Sequence, residues 1–254
     1  MEAVFVPEKT QIKAIFFDFG KTIHDYHLDY FFNWLSYKFG LPRHYFWRIF
    51  NGSSGLIMKY EVGMPTKRFL KEFRARVELL FAELAGKEGK RIASAEFTDE
   101  EFIDAWNSIM DPSPLIRDRM ELIRKLKGHG YKIYILSNTN KAHIEYFKGS
   151  GKKTGYHYTR FSELFRVADR FFASSDHDVR ARKTKFDGKN RKLCEKVFWK
   201  VLNATGLKPE EAVFVDDFVE YVEVFKAMGG YAIHCTGSWT KVEAELYQMG
   251  VRWE

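Results

Sequence analysis

Cysteine is scarce in this sequence, and long apolar runs are missing. The 254 residues include two cysteines, Cys194 and Cys235. So few thiols in a chain of this size argue against a disulfide scaffold and favour a reducing compartment. No stretch approaches about 18 apolar residues, the usual length of a membrane span, and the N-terminus has no basic start followed by a long apolar run. We therefore expect a cytoplasmic protein without a signal peptide or a membrane segment.

Internal repeats and low-complexity segments are also missing. The length allows either one large α/β domain or a core with a smaller inserted domain. The formal net charge is +7, from 41 Lys and Arg against 34 Asp and Glu. The basic residues are spread along the chain, so they favour an anionic ligand without identifying it. A basic solvated surface explains the same excess equally well.

Residues 13–22 read KAIFFDFGKT, and their apolar run ends abruptly at Asp18. A run without polar alternation predicts a strand buried on both faces, as in a parallel sheet covered by helices. Asp18 would then lie at the carboxyl end of the strand, where ligands bind in open α/β sheets. Taken alone, Asp18 could equally be the turn residue that follows a strand.

The same arrangement recurs twice downstream. Residues 131–136 form an apolar run that precedes Ser137, and residues 212–215 form one that precedes Asp216 and Asp217. If the strands are parallel, these side chains meet the first acid at one edge of the sheet. Carboxylates brought together repel one another unless a cation joins them, and hard oxygen ligands suit magnesium. The pattern therefore predicts a magnesium site.

The chain between the first strand and residue 110 has a helical pattern and no convincing second strand. Helices are predicted over residues 27–39, 42–50 and 66–85, and another after a capping box made by Thr98 and Glu101. Along residues 66–85 the apolar residues form one stripe at helical spacing, which is typical of a core-facing helix. We interpret this block as an insertion after the first strand.

From residue 111 onward, strands alternate with helices. Ser113 and Pro114 favour the start of a helix that ends at Gly128. Strands are predicted over residues 131–136, 170–173, 212–215 and 231–234. Helices are predicted over residues 141–148 and 193–202, and two further helices are predicted to end at Met228 and at Met249. This alternation predicts βαβ units with right-handed crossovers, and hence an α/β fold.

Four motif positions follow one another in this chain: FDFGKT at residues 17–22, LSNTN at 136–140, a lysine, and FVDD at 214–217. Each motif is short, but the ordered set resembles the haloacid dehalogenase-like hydrolases over nearly the whole chain. The resemblance implies an α/β fold: a Rossmann-like parallel sheet core with helices on both faces and an inserted α-helical cap domain. The implied core is residues 1–26 plus 111–254, and the implied cap is residues 27–110.

The lysine of the third motif has more than one candidate. Family members resemble G-x-R-K-P-x-x-x-h-F, where h is apolar, and residues 188–198 fit this spacing with leucine in place of the usual proline. This fit favours Lys192. Lys183 and Lys185 compete with it, because the polar stretch 176–187 looks like an insertion.

The resemblance also implies a mechanism. Asp18 would attack phosphorus and form an aspartyl-phosphate, with Mg²⁺ as the cofactor. The implied metal ligands are Asp18, the backbone carbonyl of Gly20, Asp217 and Asp216. The implied phosphate-binding residues are Ser137, Asn138 and Lys192, of which Ser137 and Lys192 would also take part in catalysis.

Gly20 departs from the family pattern. Most phosphatases that the chain resembles carry an aspartate there, which protonates the leaving oxygen and then activates water. A positioned acid–base group is typically worth about 10²–10⁴ in rate, so the departure bears on the acid–base step. His24, Asp25 and His27 are candidate replacements, although each also fits an ordinary polar loop residue. Thr22 would do no more than cap the loop.

These features favour a magnesium-dependent phosphatase for a small phosphomonoester, and a leaving group that departs easily, such as an anomeric phosphate, suits the missing acid. The first alternative is a metal-independent dehalogenase-type hydrolase, against which the added charge of Asp216 and Asp217 counts. The second is a weakly active or non-catalytic protein that binds a phosphate ligand. The basic segment 176–191 raises nucleic acid as a partner, but its single aromatic residue, Phe186, disfavours a stacking platform. The substrate and the oligomeric state stay open.

Overall fold

The computed structural model describes residues 12–51, 55–88, 96–110, 116–148, 158–177, 179–183 and 191–254. Five parallel strands form one sheet in the order β3-β2-β1-β4-β5. The strands are β1 (Ala14–Phe17), β2 (Lys132–Ser137), β3 (Arg170–Ala173), β4 (Ala212–Asp216) and β5 (Tyr231–His234). β1 is central because it pairs with β2 on one side and with β4 on the other. The parallel sheet predicted from the apolar runs is confirmed.

Between β1 and residue 110, the described residues contain helices and no strand. They are α1 (Leu28–Phe39), α2 (Arg43–Asn51), α3 (Leu56–Glu61), α4 (Thr66–Glu88) and α5 (Asp99–Asn107), followed by a 3-10 turn at Ser108–Met110. The predicted capping box is present: the Glu101 N–H donates to Thr98 Oγ1 over 3.1 Å, and the Thr98 N–H donates to the Glu101 carboxylate over 2.8 Å. The helical insertion is confirmed, and its boundaries at residues 27 and 110 stay a prediction.

Helices cover both faces of the sheet. They are α6 (Ile116–Gly128), α7 (Lys141–Lys148), α8 (Tyr158–Val167), α9 (Arg191–Thr205), α10 (Val219–Ala227) and α11 (Trp239–Gln248). Ile15 and Phe17 pack with α6, α7, α8 and α11, whereas Ala14 and Phe16 pack with α9 and α10. All residues of β1 and β4 are buried, as expected for strands covered on both sides. Among the described residues, no helix is both long and apolar enough to cross a membrane.

Aromatic rings form much of the core of the insertion. The stripe predicted on α4 is buried, and its Phe73 lies 4.7 Å, between ring centroids, from Phe102 of α5. Phe31 of α1 lies 4.9 Å from Trp106 in an edge-to-face arrangement, which is favourable for aromatic pairs. Trp106 in turn stacks on His143 of α7, with centroids 5.1 Å apart. The insertion and the sheet domain therefore share one continuous apolar core.

Two helices were not predicted from the sequence. α3 has only six residues, which is too short for helical periodicity to be visible. α8 begins at Tyr158, within residues 149–160, which the sequence indicated only as a polar segment, and its Phe161 and Leu164 are buried. The polar, glycine-bearing residues 86–94 predict a loop, but residues 86–88 continue α4, so this prediction is wrong at its start. Residues 89–94, residues 149–157 and the helix start predicted at Ser113 and Pro114 lie outside the described residues.

Asp169 directly precedes β3 and joins it to α6 and β2 at the amino ends of the strands. Its carboxylate accepts hydrogen bonds from Lys127 Nζ at 2.6 Å, at the end of α6, and from the Ile133 N–H at 2.8 Å, in β2. Burial alone would raise the pKa of Asp169, but these donors and Lys132 hold that pKa below its ordinary value. The ionised carboxylate is therefore more stable in the folded state than in the unfolded chain.

We expect Asp169→Asn to lower the free energy of unfolding by about 1–3 kcal/mol at pH 7, because charged hydrogen bonds are lost. The folded-state pKa is depressed, so this stabilisation is present above the unfolded pKa of about 3.9 and is lost as the pH falls through the folded value. Urea unfolding at pH 7 and at pH 3 measures both effects. Glu243→Gln, the same carboxylate-to-amide change in α11, is the control. If Asp169→Asn lowered the free energy of unfolding equally at pH 3 and at pH 7, the stabilisation would not come from the ionised carboxylate.

Candidate active site

Asp18 lies at the carboxyl end of the central strand. Its N–H donates to the carbonyl of Val215 over 2.8 Å, which extends the pairing of β1 with β4 by one residue. Since β1 also pairs with β2, the buried Asp18 side chain lies between the ends of both neighbours. Asp18, Ser137, Asp216 and Asp217 line one cavity. The structure therefore brings together the polar residues that the strand pattern placed at one edge.

Lys183 lies at the centre of this group. Its Nζ donates to Asp18 Oδ1 over 2.7 Å, to Asp216 Oδ2 over 2.5 Å and to the Leu136 carbonyl over 3.2 Å. The side chain is 2% exposed, so three acceptors around a buried ammonium satisfy its three protons. Burial would lower the pKa of Lys183, but the carboxylates of Asp18 and Asp216 raise it above its ordinary value. Lys183 is therefore charged at neutral pH.

The structure corrects the choice of lysine. Lys192, which the motif spacing favoured, is exposed in the first turn of α9 and is not among the described residues that line the cavity. Lys183 belongs to the segment that follows β3, which passes over the carboxyl ends of the strands. Lys185, the other competitor, lies outside the described residues. A signal for Lys183 was present, because Arg182 and Lys183 repeat the R-K pair of the motif.

The segment that carries Lys183 is fixed by its neighbours. Asn138 holds it from both sides, since its Nδ2 donates to the Lys183 carbonyl over 2.9 Å and its Oδ1 accepts from the Lys183 N–H over 2.8 Å. The hydroxyl of Tyr221 donates to the same carbonyl over 3.1 Å. Lys200 Nζ donates to the Val179 carbonyl over 2.6 Å. The side chain of Asn138 therefore positions the lysine, a function that the sequence did not reveal.

Ser174, which was not assigned a function, supports the segment after β2. Its Oγ accepts from the Thr139 N–H over 2.9 Å and donates to the Thr139 carbonyl over 3.0 Å. The Oδ1 of Asn140 accepts from the His143 N–H over 3.2 Å, as an N-cap residue does at the start of α7. These bonds fix the backbone beside Ser137, which is 4% exposed.

Asp18, Asp216 and Asp217 form a cluster of carboxylates. One oxygen from each lies within 4.8 Å of the others. Burial raises the pKa of Asp18 to about 7, although the charge of Lys183 opposes this rise. Burial, followed by the charge of Asp18, raises the pKa of Asp217 to about 6, and burial also raises the pKa of Asp216. With Lys183 charged, three ionised carboxylates would leave two negative charges uncompensated. The donor set is all oxygen and the excess charge is that of one divalent cation, so these residues fit Mg²⁺.

The two neighbouring aspartates differ in their partners. Asp216 is fully buried, and its Oδ1 accepts from the Phe218 N–H over 2.8 Å while its Oδ2 faces Lys183. Both oxygens of Asp216 are therefore used within the protein. Asp217 is only partly buried and lines the cavity, so it and Asp18 are the carboxylates best placed to face a ligand.

Gly20 lies beneath the ring of Tyr26. A Cβ atom at position 20 would be 2.9 Å from Tyr26 Cε1, closer than real Cβ contacts. Lys21 Nζ donates to the Tyr26 carbonyl over 3.1 Å and lies 4.9 Å from the ring centroid. Tyr26 therefore takes the space that an acidic side chain at position 20 would need.

The other candidates for the missing acid lie elsewhere, and none is among the described residues that line the cavity. His24 is buried, with its ring 5.0 Å from that of Phe161, and burial lowers its pKa to about 4. Asp25 pairs with Arg119 at 3.7 Å, and His27 is exposed. Thr22 Oγ1 is buried without a hydrogen-bond partner among the described residues. The predicted capping by Thr22 is therefore wrong.

We expect Lys183→Met to lower the free energy of unfolding by about 3–5 kcal/mol, because it leaves two buried carboxylates without their counter-charge. Urea unfolding at pH 7 measures the change. Lys192→Met removes an exposed lysine and is expected to stay within about 0.5 kcal/mol. Equal losses in the two variants would contradict the placement of Lys183.

The family model described as haloacid dehalogenase-like hydrolase matches residues 12–229. Among solved structures, the chain is similar to the HAD family enzyme BT-2542 from Bacteroides thetaiotaomicron, with a TM-score of 0.66 and 18% identity over 92% of this chain and 98% of that one. The same enzyme in complex with magnesium and inorganic phosphate matches with a TM-score of 0.63 and 18% identity over 91% and 98%. A predicted HAD-like family hydrolase from Porphyromonas gingivalis matches with a TM-score of 0.62 and 20% identity over 94% and 98%.

At these identities the solved structures establish the shared fold, whereas the family match spans most of the chain. Its motifs, its sheet order and its helical insertion agree with that match. This chain belongs to the haloacid dehalogenase-like hydrolases.

Proposed function

We propose that this hydrolase cleaves a small phosphomonoester, with Asp18 as the nucleophile and Mg²⁺ as the cofactor. One observation carries the proposal: a buried ammonium, Lys183, contacts Asp18 and Asp216 in a cavity that Ser137 and Asp217 also line. A carboxylate beside a fixed cation and a hydroxyl suits attack on phosphorus. BT-2542, which has this fold, was solved with magnesium and inorganic phosphate, and this supports the proposal.

The first step transfers the phosphoryl group to the enzyme. An oxygen of Asp18 bonds to phosphorus, and the bond to the leaving oxygen breaks with its electron pair on that oxygen. Water then attacks phosphorus, which releases inorganic phosphate and restores Asp18. Lys183 favours the ionised form of Asp18 against the effect of burial, and its charge faces the negative charge of the transferring group.

Ser137 and Asn138 complete the phosphate end of the cavity. The Ser137 hydroxyl can donate to a phosphate oxygen. The side chain of Asn138 is already bonded to the Lys183 segment, so its contact with phosphate would come from the backbone. Asn138 would then affect the reaction mainly through the position of Lys183.

Asp18, Asp217 and the backbone carbonyl of Gly20 would hold the magnesium ion, with Asp216 behind them. Bound there, Mg²⁺ would offset the charges of the carboxylates and of the substrate phosphate. We also propose a cytoplasmic location, which the two buried cysteines support because no disulfide joins them.

The negative charge that Asp216 and Asp217 add beside Asp18 counts against a metal-independent dehalogenase. The packing of Tyr26 over Gly20 favours a second candidate, a phosphate-binding protein with little turnover, because it leaves no room for an acid at position 20. Inorganic phosphate would bind to either protein, but only an enzyme would turn over phosphomonoesters.

We expect Asp18→Asn to lower kcat for 4-nitrophenyl phosphate by about 10³-fold or more, because the nucleophile is lost. Chelation of divalent ions should abolish the wild-type activity, and Mg²⁺ should restore it. Steady-state kinetics after passage over a chelating resin measure both effects. Asp118→Asn, at an exposed position of α6, is the control. Full activity of Asp18→Asn, or hydrolysis of chloroacetate without metal, would refute the proposal.

Tyr26 does not act as the missing acid in this proposal. Burial, followed by the charges of Asp217 and Asp18, raises the pKa of Tyr26 to about 12. A phenol with this pKa keeps its proton at neutral pH and is a weak acid. The leaving oxygen therefore departs without a strong acid from the protein, and substrates with a stable leaving anion react fastest.

We expect Gly20→Asp alone to give little gain, because its Cβ would meet the Tyr26 ring. The double variant Gly20→Asp, Tyr26→Ala makes room for the acid. It should hydrolyse alkyl phosphates at least about 10-fold faster than Tyr26→Ala alone, because an acid–base group is typically worth more than this. Comparing kcat for methyl phosphate in the three variants measures the gain. No difference between the double variant and Tyr26→Ala would contradict the explanation.

A further inference from the structure

The cavity of about 600 Å³ has two unlike halves. The phosphate end is polar and comes from the ends of the strands. The other half comes from the helical insertion, and its apolar or aromatic lining residues are Leu28, Phe32, Trp47, Ile57, Met58, Trp106, Ile109 and Met110. A volume of this size suits a small organic ligand. The second half is where the alcohol part of a phosphomonoester would lie.

Several polar groups that line this cavity already have partners. The indole N–H of Trp106 donates to Asn140 Oδ1 over 3.4 Å. The ring nitrogens of His143 lie 3.1 Å from Asn140 Nδ2 and 3.3 Å from the Trp106 carbonyl. Burial lowers the pKa of His143 to about 4, so its ring is neutral. The hydroxyl of Tyr221 donates to the Lys183 carbonyl. These groups offer no free hydrogen for a ligand.

The charged residues of this half neutralise each other. Glu61 Oε2, at the end of α3, lies 3.0 Å from Arg182 Nε. Burial raises the pKa of Glu61, and Arg182 opposes this rise. Asn51 and Trp47 are exposed, so they lie towards solvent at the opening. Neither Glu61 Oε2 nor Arg182 Nε has a hydrogen-bond partner among the described residues, so these two side chains can still bond to a buried ligand. They and Tyr26 are outnumbered by the apolar side chains of this half.

A polyhydroxylated alcohol fits such a lining poorly. Each hydroxyl that leaves water without gaining a partner lowers affinity by about 5- to 100-fold. An aromatic ring gains contact area and stacking against Trp and Phe side chains. A phenol-type leaving group also departs as a comparatively stable anion, which suits a site without an acid at position 20. The lining and the leaving-group chemistry thus favour the same alcohol.

We propose that the substrate is the phosphomonoester of an aromatic or other apolar ring alcohol, and that sugar phosphates are poor substrates. This inference rests on the proposed phosphatase function and selects its substrate class. It replaces the anomeric sugar phosphate that the missing acid alone suggested, because apolar side chains outnumber hydrogen-bonding ones in this half of the cavity.

The test compares two esters with the same kind of leaving group. Cyclohexylmethyl phosphate and glucose 6-phosphate both release a primary alkoxide from a six-membered ring, and they differ in their hydroxyl groups. We expect kcat/KM with Mg²⁺ to be at least about 10-fold higher for the cyclohexylmethyl ester, and higher still for phenyl phosphate. Equal values, or a preference for glucose 6-phosphate, would overturn the inference.

Acetyl phosphate separates the two proposals, because its small acyl group does not need the apolar half. Hydrolysis of acetyl phosphate together with a preference for glucose 6-phosphate refutes the substrate class alone. No hydrolysis of acetyl phosphate or of either ester refutes the phosphatase function and the substrate class with it.

A cap variant tests the lining directly. Trp47→Ala, at a half-exposed position, should lower kcat/KM for cyclohexylmethyl phosphate at least about 5-fold more than for acetyl phosphate. Tyr37→Ala removes an aromatic ring that is 90% exposed and should not change this ratio. An unchanged ratio in Trp47→Ala would count against the proposed contact with the alcohol.

Discussion

The site depends on one buried ammonium between two buried carboxylates. Removing charges from water is costly, and this cost is offset only where the counter-charges and hydrogen bonds are all in place. Lys183 meets this condition because Asp18 and Asp216 end adjacent parallel strands, and because Asn138 fixes the backbone of the lysine. Without the lysine, burial and mutual repulsion would favour protonated carboxylic acids. The charge of Asp18 therefore depends on the order of the strands.

The position of the insertion explains why the cavity has two unlike halves. The chain leaves the sheet directly after Asp18, and residues 19–27 lead from there into α1. The ends of the strands supply oxygen and nitrogen groups, because backbone and polar side chains emerge there. The inserted helices supply rings and methylene groups from their inner faces. The polar and the apolar halves of the cavity are thus encoded in separate stretches of sequence, and Tyr26 lies where the two stretches join.

The sequence predicted the features that follow from periodicity. Unbroken apolar runs identified the buried strands, and parallel pairing then placed Asp18, Ser137 and Asp217 at one edge. Periodicity could not predict that Lys183 contacts Asp18 and Asp216, because a segment of any length can bring a lysine to these carboxylates. The motif spacing favoured Lys192 instead. The packing of Tyr26 on Gly20 was also invisible, since ring orientation is a tertiary property. The helix α3 has too few residues to show helical periodicity in the sequence.

The ion pair between Glu61 and Arg182 has a mechanical consequence. Arg182 directly precedes Lys183, and Glu61 ends a helix of the insertion, so the pair joins the insertion to the segment that carries the buried ammonium. An outward displacement of α3 would lengthen this pair and pull on the residue beside the buried ammonium. The position of α3 and the place of the buried ammonium are therefore connected through a single covalent bond between neighbouring residues.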